Sequence, residues 1–207
     1  GYAAGDCFVT WHARYQKSVA YHEAGHAVAF IAADHSQSKP SSNFRTVQYV
    51  EALGAMGGQV GLGRPSMDYS GLLGTAHPPI DDIDHRDPLA SSILVAMERD
   101  IVSYLSGPYA QSAFEHGTQP GQGLRECARR VEEAQSDFAT AAEIYRTVCR
   151  ISQRPVPFTE LERRALRLVS SCWTVIDDLA GRLLVARYLE GDEVYSIVSS
   201  RLPACDD

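Results

Sequence analysis

Apolar and aromatic residues recur every three to four positions through residues 13–33, with Tyr15, Val19, His22, His26 and Phe30 on one face of a predicted helix. No proline interrupts this stretch, which is expected to end near Asp34. The polar residues 35–43 then connect it to residues 45–50, which alternate and are rich in β-formers, as a strand requires. Residues 54–63 place Gln59 and Val60 between glycines and suit a second short strand paired to the first. Residues 64–87 have no helical period and are crowded with Gly, Pro, Ser and Asp. So long an irregular segment predicts a functional lid or an insertion.

The second half of the pattern is helical. Asp87-Pro88 supplies an N-cap followed by proline at the first helical position. Ile93, Met97, Ile101 and Leu105 then share a face, and Gly107-Pro108 is expected to break or kink the helix before a shorter segment over 109–114. Leu124, Ala128, Val131, Gln135, Phe138, Ala142, Tyr145 and Cys149 keep helical spacing, as one helix or two, up to Pro155-Val156-Pro157. Further helices are predicted from Thr159 to about Ser171, from about Trp173 to Tyr188, and from about Gly191. The expectation is a mainly α chain with a small β-sheet or hairpin, an α+β fold in one domain over 1–207. Within it, 1–63 holds the first helix and the strand pair, 64–87 the loop, and 88–207 the helical part.

Composition narrows the partners. A chain of 207 residues is long enough for one well-buried core. Its formal charge of -7 and the absence of a basic cluster argue against nucleic acid. No apolar run approaches the roughly 20 residues that cross a bilayer, so no membrane insertion is expected. Asp6 and His12 interrupt the first residues, which lack the basic start of a secretion signal. Cys7, Cys127, Cys149, Cys172 and Cys205 are odd in number and widely spaced, which suits reduced thiols and a cytoplasmic location.

The chemistry lies in His22-Glu23-Ala24-Gly25-His26. Two histidines four apart on a helix stand one turn above each other, so both rings reach one metal ion. Glu23 is rotated by about a third of a turn, beside the ion instead of on it. Two imidazole ligands, an open coordination position and an adjacent base are what a zinc hydrolase needs. Gly25 costs roughly 1 kcal/mol against alanine in a helix, which implies close approach of a backbone or of substrate, or simple packing. Ala32 occupies the place of a third histidine ten residues after the first, and His12 lies about 15 Å along the helix. His35, His77, His85, His116, Glu98, Glu132, Glu133 and Asp137 all stay open as the third ligand. Asp81, Asp82, Asp84, His85 and Asp87 fail the calcium-loop template, with Arg86 at a ligand position, and read as a solvated acidic loop.

His22-Glu-Ala-Gly-His26-Ala-Val, preceded by Ala20-Tyr21, resembles the zinc-binding helix of the FtsH family of ATP-dependent metalloproteases. Residues 45–63 resemble that family's strand pair, and 98–117 its helix with a Gly-Gly. Residues 136–141, "SDFATA", resemble the segment whose aspartate completes the metal site, and 189–194 the turn into the final helix. The resemblance implies zinc as cofactor, His22, His26 and Asp137 as ligands, and Glu23 as the general base of peptide hydrolysis. A polypeptide substrate is expected along an exposed strand edge, within 45–50 or 59–62. The chain departs from the family in having no phosphate loop, no membrane helix, and Gly107-Pro108 for the Gly-Gly. It is therefore expected as a stand-alone peptidase domain, with a homo-oligomer or a separate ATPase partner left open. The other class is a metal-bearing binding or scaffold protein without turnover. Against it stands Glu23, because a structural zinc site fills its fourth position with protein and needs no base.

Overall fold

The structure, a computed structural model, describes residues 4–35, 47–52, 58–62, 88–116 and 134–202. In chain order these form α1 (Ala4–His35), β1 (Val47–Ala52), β2 (Gly58–Leu62), α2 (Pro88–His116), α3 (Ala134–Ile151), α4 (Phe158–Ser171), α5 (Trp173–Ala186), β3 (Tyr188–Glu190) and α6 (Gly191–Ser199). The fold is mainly α with a small sheet, as the hydrophobic pattern predicts. The loop expected over 64–87, its acidic residues included, lies outside the described residues.

Helix α1 is the centre of the molecule. It packs against α2, α5, α6 and β1, so elements from both halves of the chain cover it. Ala20, Ala24, Ala27 and Val28 are fully buried in a core that runs on through Met97, Leu105, Leu161, Ile176 and Val198. Three of those four α1 residues are alanines, which lets neighbouring helices approach α1 closely. Its helical span begins earlier than the predicted residue 13, because the segment back to Ala4 holds no proline and one glycine, Gly5.

The sheet has the order β2-β1-β3, with both pairings antiparallel. Val50 lies opposite Val60 on one side and Leu189 on the other, and is completely buried. Strand β1 is therefore interior. A substrate strand cannot add where β3 already pairs, at residues 49–51. Residues 45 and 46 of the expected edge lie outside the described residues, and β2 keeps a free side within the described sheet. The third strand corrects the helix predicted to Tyr188. Arg187 has φ 63, and its N–H closes α5 on the Leu183 carbonyl at 2.7 Å. That left-handed residue turns the chain out of the helix, so the next three residues run extended beside β1.

A second correction concerns α2, which continues through Gly107-Pro108 without a break. An interior proline removes one helical hydrogen bond and costs about 3 kcal/mol. Here α2 is covered by α1, α3 and α4. Ile101 and Leu105, both fully buried, each contribute about 1.5–3 kcal/mol, enough to hold the helix together across the proline.

Candidate metal centre

His22 and His26 are one turn apart on α1 and both buried. Asp137 lies in the first turn of α3, where a carboxylate also favours the helix dipole. Helices α1 and α3 both pack against α2, and this carboxylate meets the two rings. His22 Nε2 is 2.9 Å from Asp137 Oδ2, His26 Nε2 is 3.5 Å from it, and the two Nε2 atoms are 3.0 Å apart. Among the described residues, His22, His26 and Asp137 form a group that offers three ligand atoms to one metal ion.

The far side of each ring fixes which nitrogen faces the others. His26 Nδ1 is 2.8 Å from the Ser103 carbonyl oxygen, which can only accept, so Nδ1 carries the hydrogen. His22 Nδ1 donates to Gln111 Oε1 at 2.9 Å. With both imidazoles neutral, the two Nε2 lone pairs would point into the gap, toward each other and toward a carboxylate. Three acceptors at this separation repel unless a cation joins them, a metal ion or a proton. A group arranged in this way could hold a metal ion.

Without a metal, a proton fills this role. Burial would lower the His26 pKa, but its hydrogen bond to Asp137 and the charges of Asp137 and Glu23 push it up to about 9. Burial would raise Asp137, but the hydrogen bonds from His22 and His26 hold it well below the ordinary carboxylate range. Glu23 is only 5% exposed, and its burial raises its pKa against the opposing pull of the two histidines. One cluster thus holds an acidified carboxylate, a basic imidazole and a carboxyl group moved toward neutrality.

Two glycines make the space. A Cβ on Gly107 would sit 2.3 Å from His26 Nε2 and 2.5 Å from Cε1, inside the imidazole ring's own volume. Gly107, from the Gly-Pro pair expected to break α2, is in fact the wall that His26 leans on. A Cβ on Gly25 would meet Ala110 Cβ at 2.6 Å and the Ser106 carbonyl oxygen at 2.7 Å. Gly25 therefore serves the close approach of the α2 backbone. Beside the site, Tyr21 stacks on Phe114 at 4.3 Å and on Trp173 at 5.4 Å, and its hydroxyl donates to Asp177. This stack ties α1 to α2 and α5 next to His22.

Of the other residues left open as third ligand, the two that are described are not in this cluster. Glu98 pairs with Arg164 at 3.2 Å, and His116 is half-exposed at the end of α2 beside Glu115. His77, His85, Glu132 and Glu133 lie outside the described residues, as does the side chain of His35. Sequence reasoning missed Ser103, Gly107 and Gln111. Gln111 stands four residues after Gly107, a spacing that carries no signal until α2 is known to be continuous, and a backbone carbonyl such as that of Ser103 carries none at all.

Compared with known proteins, the chain matches no family model and no curated protein. Among the described residues, no helix is long and apolar enough to cross a membrane.

Proposed function

We propose that this chain is a zinc peptidase that hydrolyses unfolded polypeptide, of the FtsH-like kind that its motif helix resembles. The observation that carries this reading is the convergence of His22 Nε2, His26 Nε2 and Asp137 Oδ2 beside the buried Glu23. Two ligands of a tetrahedral zinc lie about 3.3 Å apart when each is about 2.0 Å from the ion. The observed separations of 2.9, 3.0 and 3.5 Å bracket that value, and two nitrogens with one carboxylate oxygen are a donor set zinc accepts. Zinc bound there would supply an acidified water and polarise the scissile carbonyl.

The chain's own residues then divide the work. Glu23 takes the proton of the attacking water and delivers it to the leaving amine, and burial suits it by raising its pKa toward the working pH. Asp137 and the two histidines hold the centre and leave one side for water and substrate. Strand β2, at an edge of the sheet, offers main-chain groups to which an extended substrate adds as a strand.

Glu23→Gln is the decisive test. The variant should keep its zinc and lose cleavage of an unfolded protein by roughly 10²–10⁴-fold, the weight of a general base. Cleavage at the wild-type rate would overturn the assignment. A wild type that binds zinc and cleaves nothing, alone or with an ATPase added, would instead mark a metal-bearing binding protein.

A further inference from the structure

Behind His22 lies a chain of three polar side chains that reaches back to α1. Gln111 Oε1 accepts from His22 Nδ1, and Gln111 Nε2 donates to Glu115 Oε1 at 3.3 Å. The Ser18 hydroxyl, one turn before His22 on α1, donates to the same Glu115 oxygen at 2.7 Å. Ser18 and Gln111 are buried, and the Glu115 side chain is mostly so.

The chemistry of an amide makes this arrangement consequential. A glutamine presents an oxygen or an NH₂ to a neighbour with nearly equal shape. With its oxygen toward His22, Nδ1 keeps the hydrogen and Nε2 keeps a lone pair for the metal. Turned over, the NH₂ would face Nδ1, the hydrogen would move to Nε2, and His22 could not ligate through that atom. An ionised carboxylate only accepts, so Glu115 admits one of the two orientations. Ser18 holds that carboxylate in place.

We propose that Glu115, anchored by Ser18, is a positioning residue that sets the Gln111 amide and, through it, the tautomer of His22. The inference rests on the metal-centre reading, and its test separates the two. The measurements are the zinc dissociation constant, by competition with a chelating dye, and the His22 Nδ1–H signal in the NMR spectrum of the zinc-loaded protein. Glu115→Gln can offer the amide either a donor or an acceptor. It should weaken zinc about tenfold or more, the usual cost of losing an outer partner of a ligand histidine. It should also split or erase the single Nδ1–H signal expected of the wild type.

Gln111→Leu should weaken zinc at least as much, and the double variant no more than Gln111→Leu alone, because both act through one amide. Ser18→Ala should fall between wild type and Glu115→Gln, and it carries the same comparison if Glu115→Gln does not fold. Unchanged zinc affinity with an unchanged Nδ1–H signal overturns the relay and leaves the metal centre standing, as do losses that multiply in the double variant. A wild type that takes up no zinc overturns both.

Discussion

His22 and His26 sit one turn apart on α1, whereas Ser103, Gly107 and Gln111, which aim and seat their rings, are spread over about two turns of α2. The first pair is fixed by helix geometry alone. The second set exists only because α2 packs tightly on α1 at Gly25 and passes unbroken through Pro108. One wall of the centre is thus a local property of the chain, and the other is a property of how two helices meet. Asp137 belongs with the second kind, since a third helix brings it in from 111 residues beyond His26.

Removing the ligand that packing supplies should have the largest effect. Asp137→Ala should cost more zinc affinity than the 10–100-fold typical of losing an outer partner, measured against a chelator of known strength. If zinc binding is unchanged, the third ligand lies elsewhere. The glycines sharpen the contrast. Gly107→Ala and Gly25→Ala both overfill a packed contact and should each lower unfolding free energy by about 1–3 kcal/mol in urea titrations. Only Gly107→Ala drives a methyl group into the His26 ring, so it should also weaken zinc well beyond what Gly25→Ala does.

A gentler probe is pH. His26 is raised to about 9 in the metal-free protein, above its unfolded value near 6.5. Its contribution to stability is therefore complete below about pH 6.5 and is lost as pH rises through about 9. Chelated protein should melt at progressively lower temperature over that window. Zinc affinity should rise over the same window, because a ligand imidazole must give up its proton. A zinc affinity independent of pH there would exclude His26 from the ligand set. The smallest effect belongs to Tyr21→Phe, which removes the hydrogen bond to Asp177 but keeps the stack. It should cost about 0.5–1.5 kcal/mol of stability and leave zinc affinity as it was.

Much of the architecture is legible in the spacing of apolar residues. The helices starting at Pro88, near Thr159 and at Trp173, and the strand pair, fall close to where periodicity puts them. What periodicity mistakes are places where local and tertiary preferences oppose each other. Gly107-Pro108 carries a strong breaking signal, overridden by burial on several sides. Tyr188–Glu190 looks like a helix end or a turn until β1 is there to pair with it. β1 itself has no feature that distinguishes an interior strand from an edge.

The sequence by itself determined that two imidazoles and a glutamate share one helix, with both rings on one face, because a helix of 3.6 residues per turn leaves i and i+4 no other arrangement. Only the tertiary structure shows which of the described candidates joins them: Asp137 has His22 Nε2 at 2.9 Å, while Glu98 is held by Arg164 and His116 stands at the surface. It also decided which ring nitrogens face the gap, since that depends on a carbonyl and an amide carried by α2. Local geometry sets the reach of a side chain, but the partner at the end of that reach comes from long-range packing.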